Sequence, residues 1–423
     1  MKLKIKNVGR INQAEIEING ITVICGNNDT GKSTIGKLLY CIYASLYHLP
    51  EQIFRERLNV IERTVRNYSV HHYYLGDREK ISEVFRSLIS NPDLTKEKIS
   101  ETLKQFLHDN NEEPGSKIIE EMTEKIQSYL AVTEKEIVTA FLQRTISAEF
   151  GGKLANVNSS TQKADVSLEV KDRTISFHTS GKSQKVEIDQ YINLEKRLIY
   201  IDDPFILDEV GQSVYDHRAI DTHHRDELIS LIRRSVWHTQ ENVIEGILRD
   251  SRLRDVMDKM REVSDGSLVF EDGEFRYRHT GLNENLSLVS VSTGIKTFAI
   301  LRSLLESGYL EDNGIMVMDE PEVHLHPEWQ IRLAEITVLL QKVYGLNIVI
   351  TTHSVDFLTA IDFFTRKYEI RDNCRFYLTE TDQQDSHGNQ ADVNMVNVTE
   401  DMEKMYSSIS EPYLKVYSQM EGD

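Results

Sequence analysis

The sequence has few cysteines and no long apolar run. Its 423 residues include three cysteines, Cys25, Cys41 and Cys374, whose positions show no paired spacing. Few and unpaired cysteines are typical of a chain that folds without disulfides in a reducing compartment. No apolar run reaches the roughly 18 residues that a membrane-spanning helix needs, and no signal-peptide core precedes the first strand pattern. We therefore expect a cytoplasmic protein without a membrane partner.

The sequence has fewer basic than acidic residues. Lysine and arginine total 49 against 68 aspartates and glutamates, which gives a formal net charge of −19. Proteins that coat nucleic acid are normally basic, because their affinity comes from neutralising phosphates. A local basic surface could still contact nucleic acid, but we do not expect nucleic acid to be the default partner.

The sequence does contain a phosphate-binding loop pattern, G-x-x-x-x-G-K-[ST]. Its residues are Gly26, Asn27, Asn28, Asp29, Thr30, Gly31, Lys32, Ser33 and Thr34. In such a loop the backbone N–H groups surround phosphate oxygens, the lysine reaches the β- and γ-phosphates, and the next hydroxyl can ligate Mg²⁺. The apolar run Ile21–Cys25 predicts a buried strand before the loop, and residues 35–46 predict a helix after it. The pattern predicts that the chain binds a nucleoside triphosphate, ATP, with Mg²⁺.

Two acidic residues end another apolar run. Asp319 and Glu320 follow residues 315–318, and open α/β sheets bind their ligands at the carboxyl ends of strands. Asp319 is suited to holding Mg²⁺, directly or through water, whereas Glu320 is suited to orienting and deprotonating an attacking water. A further apolar run, 346–350, leads to His353, which could contact the γ-phosphate. Together these segments predict a site for nucleotide hydrolysis.

The order of these segments resembles that of the ATP-binding-cassette (ABC) ATPases. More narrowly, residues 319–327, Asp-Glu-Pro-Glu-Val-His-Leu-His-Pro, are similar to the D-E-P-E-x-H-L-H-P string of their soluble SMC-like and OLD-like branch and of bacterial defence ATPases. Residues 6–11 look like the first-strand motif of that branch. The resemblance covers roughly residues 1–45 and 280–423 with specific motifs.

The resemblance also implies a signature loop at residues 291–296. Ser292, Gly294 and Lys296 would then contact nucleotide. The segment departs from the family pattern L-S-G-G-[EQ], with three substitutions: Val291, Thr293 and Ile295. No Q-loop glutamine can be placed.

The predicted fold is α/β, an ABC-ATPase head of the P-loop NTPase class with an antiparallel β subdomain and helical insertions. The predicted parts are lobe I with the P-loop at 1–48 and 145–204, a helical insertion at 49–144, a second helical insertion at 205–265, and lobe II at 266–423. Lobe II would carry the signature loop, the Walker B strand and the His353 loop. The tract 49–144 is predicted to be helical because its apolar residues recur at helical spacing.

Two histidine-containing segments raise the question of a separate metal site. His324 and His326 alternate on an extended segment. A second cluster is richer in donor atoms and consists of His217, Asp221, His223, His224 and Asp226. Neither segment is followed by ligands at metal spacing. We expect His324 and His326 to position the loop beside the site, and the second cluster to be a solvated loop and helix start.

The sequence also contains weak nuclease and nucleic-acid signals. Glu169, Val170 and Lys171 match the E-x-K end of a nuclease signature, without a convincing upstream P-D pair. The 70 residues after His353 contain no D-x-D set of a Toprim nuclease, so we expect no intrinsic nuclease. Six basic residues are interleaved with acids and favour a solvated helix face over a nucleic-acid groove; they are Arg233, Arg234, Arg252, Arg254, Lys259 and Arg261.

The resemblance implies an ATP-dependent switch, a homodimer whose two heads enclose ATP, with a higher oligomer also open. It further implies the sensor or regulatory ATPase subunit of a two-component antiphage system, of the Septu or PARIS type, that controls a separate nuclease or toxin effector. The alternative is an SMC/RecF-like DNA-repair ATPase that clamps DNA, although no sustained heptad predicts a long coiled coil. A transporter subunit is disfavoured, because such chains are typically shorter and have no obvious use for these insertions.

Overall fold

The computed structural model describes residues 1–68, 78–89, 95–109, 115–156, 163–211, 223–237, 243–381 and 392–420. The chain divides into two compact units. The first, called the sheet unit, comprises Met1–Ala44, Leu142–Ile192 and Lys196–Asp423. The second, called the helical unit, comprises Ser45–Phe141 and Asn193–Glu195. Among the described residues, no helix combines the length and the apolar character that crossing a bilayer requires.

The strands all lie in the sheet unit. They are β1 (Lys2–Val8), β2 (Ile11–Glu17), β3 (Ile21–Cys25), β4 (Asp165–Val170), β5 (Arg173–Ser180), β6 (Lys185–Gln190), β7 (Leu198–Ile201), β8 (Gly266–Glu271), β9 (Glu274–His279), β10 (Leu286–Ser287), β11 (Ile315–Asp319), β12 (Asn347–Thr352), β13 (Cys374–Thr381) and β14 (Val393–Asn397). An 11-stranded sheet has the order β6-β5-β4-β1-β2-β14-β13-β3-β12-β11-β7, and β10-β9-β8 form a separate sheet.

The described helices are distributed over both units. They are α1 (Lys32–Leu46), α2 (Leu49–Tyr68), α3 (Arg78–Ile89), α4 (Lys96–Asp109), α5 (Ser116–Leu130), α6 (Glu134–Phe150), α7 (Ile206–Val210), α8 (His224–Trp237), α9 (Val243–Val263), α10 (Thr293–Glu306), α11 (Pro327–Tyr344), α12 (Val355–Lys367) and α13 (Met402–Met420).

The parallel half of the large sheet positions the site. Strands β13, β3, β12, β11 and β7 run parallel, and every residue of β3 is buried. Parallel strands buried on both faces read as continuous apolar runs, which is why β3 and β11 could be recognised in the sequence. Asp319 pairs with Thr351, and Thr352 pairs with Cys25. The carboxyl ends of β11, β12 and β3 therefore meet at one edge.

The antiparallel half contains β1, β2 and the hairpin strands β4, β5 and β6. The alternating residues 166–170 and 174–177, on either side of the turn 171–173, predict β4 and β5 as hairpin strands, whereas β6 is not predicted. In β6 only Val186 and Ile188 are buried, and the other residues are exposed. Polar and apolar residues do alternate along β6, which is the pattern of a half-buried strand, so this signal could have identified it.

Helices α8 and α9 lie in the predicted second insertion, 205–265, yet they are part of the sheet unit. Leu228, Ile232, Val256 and Met260 are buried in one hydrophobic core with α10 and α11. These helices therefore share the hydrophobic core of the sheet unit.

The helical unit has its own core. Phe85 from α3, Leu103 from α4 and Met122 from α5 are fully buried together with Ile61 from α2. Spacing of three or four residues brings such side chains to one face of each helix. The long segment of this unit ends at Phe141, and the helical insertion at 49–144 stays a prediction.

Candidate active site

The phosphate-binding loop pattern lies between β3 and α1, and Lys32 is the first residue of α1. Gly26 approaches β13 so closely that a Cβ would lie 1.7 Å from the Thr379 Oγ1. A side chain at this position would displace the loop or the strand. The Thr30 hydroxyl donates to the Asn27 carbonyl at 2.8 Å and accepts from Thr379 at 2.9 Å. These contacts hold the loop in a closed curve at the N-terminus of α1.

The tip of the loop is exposed at Asn27, Asn28 and Asp29. Arg10, from the turn between β1 and β2, donates to the Asp29 backbone carbonyl and lies 2.5 Å from its carboxylate. The loop then enters α1, where the Thr34 N–H donates to the Gly31 carbonyl at 3.1 Å. Arg10 therefore anchors the loop tip, a contact that the sequence analysis did not predict.

The Lys32 side chain is buried against the loop and faces the second acidic residue of the site. Its Nζ donates to the carbonyls of Gly26 at 3.1 Å and Asn27 at 2.9 Å, and lies 3.3 Å from the Glu320 Oε1. The ammonium thus makes two hydrogen bonds to the loop backbone and an ion pair with Glu320. The lysine ammonium therefore lies at the base of the loop.

Asp319 ends β11 and accepts hydrogen bonds from three hydroxyls. Ser33 donates at 3.0 Å, Tyr200 of β7 donates at 2.9 Å, and Thr351 of β12 also donates to it. Burial, with Asp319 nearby, raises the pKa of Tyr200 well above its usual range, so Tyr200 remains a donor. The Ser33 hydroxyl and the Asp319 carboxylate are hard oxygen ligands of the kind that Mg²⁺ takes. The residues present therefore fit a Mg²⁺ site at this point.

Glu320 has left-handed backbone geometry, with φ of 48°. Its N–H donates to the Thr351 carbonyl at 3.1 Å and to the Thr351 hydroxyl at 3.0 Å. A non-glycine residue at positive φ is costly and persists where its surroundings hold it. The turn aims the carboxylate between the Lys32 Nζ at 3.3 Å and the His353 Nδ1 at 3.4 Å. The predicted water-activating residue thus lies beside both predicted phosphate contacts.

An open cleft of about 520 Å³ borders these residues. Its lining includes Asn28, Ser33, Asp319, Glu320 and Phe205. The volume lies within the range of about 300–1,000 Å³ that is usual for small-molecule sites. The cleft can therefore receive a ligand beside the loop and the two carboxylates.

The predicted signature loop leads into α10. Ser292 is the exposed residue that precedes the helix, and Gly294 is buried, where a Cβ would lie 2.6 Å from the Trp329 ring. Glycine is therefore needed here for α10 to pack against α11. Lys296 is buried, with its ammonium 2.5 Å from Asp208 and 5.1 Å from the centre of the Phe205 ring. A nucleotide contact by Lys296 would require that ion pair to open, and the nucleotide contacts of Ser292 and Gly294 stay predictions.

The histidine cluster differs from the expected solvated loop. His224 is buried, with Nδ1 2.9 Å from Glu149 and Nε2 3.0 Å from Asp202. Burial lowers the pKa of His224, but the hydrogen bonds to Asp202 and Glu149 outweigh burial and raise it. The donor atoms of Glu149, His223 and His224 lie within 4.8 Å of one another. His217 and Asp221 lie outside the described residues.

The other histidine pair has separate contacts. The His324 ring packs edge-on to Phe205, with centroids 5.6 Å apart. His326 precedes α11 and accepts from the Glu328 N–H at 3.4 Å. These contacts are those of loop and helix positioning.

The weak nuclease and nucleic-acid signals also have structural partners. Glu169 lies 2.8 Å from the Lys4 ammonium on the neighbouring strand. Arg233 is buried and donates to the carbonyls of Val210 at 3.1 Å and Glu209 at 3.2 Å. Arg233 therefore does not contribute to an exposed basic surface.

The sheet order, the loop between β3 and α1, and the acidic end of β11 define an α/β P-loop NTPase with an ABC-ATPase-like fold, which confirms the predicted fold class. The chain belongs to the AAA ATPase domain family AAA_15, whose sequence profile matches residues 1–358. This membership supports nucleotide binding and ATPase activity.

Solved structures that are similar to this chain include three SMC heads. An SMC head bound to the C-winged helix domain of ScpA has 9% identity and a TM-score of 0.42, covering 95% of this chain and 98% of that chain. The SMC head domain from Thermotoga maritima has 11% identity and a TM-score of 0.39, covering 94% and 98%. An SMC head with an extended coiled coil, bound to the C-terminal domain of ScpA and derived from Pyrococcus furiosus, has 11% identity and a TM-score of 0.40, covering 96% and 98%. Similarity at this level carries no argument about partners or biological role.

Proposed function

We propose that this protein is a Mg²⁺-dependent ATPase whose hydrolytic base is Glu320. The supporting observation is the convergence of residues from three segments at one sheet edge. Ser33 lies 3.0 Å from Asp319, Lys32 lies 3.3 Å from Glu320, and His353 lies 3.4 Å from Glu320. This arrangement combines a phosphate-binding cation, a pair of metal ligands and a carboxylate for the water.

Each side chain has a distinct task in this mechanism. The Lys32 ammonium moves from the carbonyls of Gly26 and Asn27 to phosphate oxygens, which bind an ammonium more strongly because they are charged. Ser33 and Asp319 would hold Mg²⁺, which when bound would neutralise phosphate charge. The Glu320 carboxylate accepts a proton from the attacking water, and His353 contacts the phosphate that is transferred. Proton abstraction of this kind contributes typically about 10²–10⁴-fold to rate.

The active assembly is a head-to-head homodimer. Ser292 is exposed at the N-terminus of α10 and its side chain makes no capping hydrogen bond within the described residues. A helix N-terminus presents free N–H groups and a partial positive charge, which favour an anion. In the dimer this end of α10 caps the ATP that Lys32 of the partner subunit holds. Binding and hydrolysis then join and separate the two heads.

The biological role that we propose is regulation of a separate effector. The supporting observation is the string 319–327, which is similar to that of bacterial defence ATPases. We propose that the chain is the sensor or regulatory ATPase subunit of a two-component antiphage system with a nuclease or toxin effector. An SMC/RecF-like ATPase that clamps DNA is the alternative.

Two experiments test these proposals. The Glu320→Gln variant should bind ATP and form a stable dimer, measured by light scattering after size exclusion with and without ATP. Copurification of the chain with the product of its neighbouring gene separates the biological roles. A nuclease or toxin partner supports defence, whereas recovery of DNA alone supports the clamp alternative.

A further inference from the structure

Glu322 is a buried acidic residue next to the proposed catalytic pair, which consists of Glu320 and His353. The residue is only 3% exposed, and its Oε1 accepts hydrogen bonds from the Thr352 hydroxyl and from the His353 backbone N–H at 3.3 Å. Its other oxygen, Oε2, is buried and has no hydrogen-bond partner within the described residues. Burial raises the pKa of Glu322. A carboxyl group held in this way is costly, so its contacts call for a function.

The contacts of Glu322 join two strand ends. Glu322 lies two residues after Glu320, on the segment that follows β11, whereas Thr352 ends β12 and His353 follows it. The Thr352 hydroxyl donates to Glu322 and accepts from the Ser354 N–H at 3.0 Å. The bonds therefore continue from the end of β11 to the N-terminus of α12, which Ser354 caps.

These bonds determine where the imidazole of His353 lies. The His353 side chain is 43% exposed, and its Nδ1 lies 3.4 Å from the Glu320 Oε1. An exposed ring is restrained little by packing, so its position depends on the backbone that carries it. That backbone is bonded to Glu322, while the backbone of Glu320 is bonded to Thr351 at 3.1 Å. The backbones of Glu320 and His353 are thus each held by a separate hydrogen bond between the segments that end β11 and β12.

We infer that Glu322 is a positioning residue. It fixes the His353 backbone and thereby keeps the His353 imidazole beside the Glu320 carboxylate. The inference rests on the proposed ATPase mechanism, in which Glu320 and His353 act together. Glu322 is not among the residues that line the cleft, although its neighbours Pro321 and Val323 are. Its effect passes through His353, and it should therefore disappear when the imidazole is removed.

A double-mutant cycle tests this dependence. The turnover number and KM for ATP, and ATP affinity by calorimetry, are measured for wild type, Glu322→Ala, His353→Ala and the double variant. Misplacement of a catalytic group by about 1 Å costs up to about 10²-fold, so Glu322→Ala should lower kcat about 10- to 100-fold. KM and ATP affinity should change by less than about threefold, because the Lys32 loop is untouched. In the His353→Ala background, Glu322→Ala should cause no further loss.

A conservative variant separates positioning from folding. Glu322→Gln keeps an oxygen acceptor for the Thr352 hydroxyl and the His353 N–H, so it should retain kcat within about threefold of wild type. Thermal unfolding of each variant shows whether the alanine variant folds. Full additivity of the two alanine losses would overturn the inference, as would wild-type kcat in a folded Glu322→Ala protein.

A measurement without ATP distinguishes this inference from the proposed function. Histidine side-chain NMR, with the His353 signal assigned by its loss in His353→Ala, should show a shifted His353 resonance in Glu322→Ala and a nearly unchanged one in Glu322→Gln. Absence of ATP hydrolysis in wild type together with this shift would overturn the ATPase mechanism while keeping the positioning contact. An unshifted His353 resonance in Glu322→Ala would overturn the positioning role itself.

Discussion

The Lys32 ammonium lies 3.3 Å from the Glu320 carboxylate. The lysine opens α1 and the glutamate follows β11, so the contact joins the phosphate loop to the end of another strand. A lysine that moves to phosphate oxygens leaves Glu320, and the carboxylate is then free to accept a proton. In the proposed mechanism, nucleotide binding therefore also releases the Glu320 carboxylate from this ion pair.

Replacement of Lys32 should abolish nucleotide binding. Lys32→Ala removes the charge from the loop, and charge-assisted contacts to phosphate are the strong ones, worth about 1.5–3 kcal/mol each. Calorimetric titration with Mg-ATP should show binding for wild type and none for the variant. Lys98→Ala, an exposed position on α4, is the matched control and should bind as wild type does. Unchanged affinity in Lys32→Ala would rule out the loop assignment.

Amide replacements of the two adjacent carboxylates, Asp319 and Glu320, should impair different steps. Asp319→Asn weakens an oxygen ligand to a hard cation, so the Mg²⁺ concentration needed for half-maximal ATP binding should rise. Glu320→Gln keeps size and hydrogen bonding but removes the base, so ATP should bind while turnover falls by about 10²–10⁴-fold. Both quantities come from one set of Mg²⁺ titrations with binding and phosphate-release readouts. Normal turnover by Glu320→Gln would place the base elsewhere.

Mixing of two inactive variants tests the composite site. In the proposed dimer, Lys32 of one subunit and Ser292 of the other serve the same ATP. A heterodimer of Lys32→Ala and Ser292→Ala subunits should therefore contain at most one intact site of two, with activity of at most half that of wild type. Each homodimer alone is the control. A strictly monomeric preparation that hydrolyses ATP at the full rate would contradict the dimer mechanism.

The protein with ATP and Mg²⁺ should leave plasmid DNA and tRNA uncut. Glu169, the acidic residue of the E-x-K match, lies 2.8 Å from the Lys4 ammonium on a hairpin strand. Gel electrophoresis after incubation with wild type and with Lys32→Ala checks the expectation. Cleavage that survives Lys32→Ala but is lost in Glu169→Ala would revive the E-x-K site.

Removal of His224 should lower stability in a pH-dependent way. His224→Ala leaves buried Glu149 without its imidazole partner, and breaking a buried ion pair typically costs about 3–5 kcal/mol. The pKa of His224 is raised in the folded state, so its contribution is complete below the unfolded pKa of about 6.5 and is lost as pH rises through the folded pKa. The destabilisation should be larger at pH 6 than at pH 9 in urea unfolding.

His108 provides the control for that measurement. Its side chain is 81% exposed on α4, so His108→Ala should change the urea midpoint little at either pH. Equal destabilisation by His224→Ala at both pH values would contradict the charged state assigned to His224.

The elements next to the site could be predicted from the sequence because their signals are local. The run Ile21–Cys25 is continuous and apolar, since β3 is buried on both faces, and Asp319 and Glu320 stand where such a run ends. The hydroxyl of Tyr200, by contrast, reaches Asp319 only because β7 lies beside β11. Nothing near position 200 in the sequence indicates that pairing.

Tertiary packing also changed the interpretation of two segments. His224 looks like part of a polar loop, because its neighbours in sequence are polar, but the fold buries it between Glu149 and Asp202. Gly294 looks like a signature-loop glycine, and the structure adds a packing reason, because Trp329 leaves no room for a Cβ. Each reading depended on a residue far away in the chain.

By itself the sequence determined the chemistry of this protein: a phosphate loop, an acidic strand end and a following histidine, each encoded within about ten residues. The tertiary structure alone decided which of these groups meet, that Lys32 faces Glu320 and that Glu322 holds His353. The physical reason is the separation along the chain over which each effect acts. Backbone propensity and apolar periodicity act between near neighbours, whereas the order of strands in the sheet and the packing of helices on it bring together residues that share no local signal.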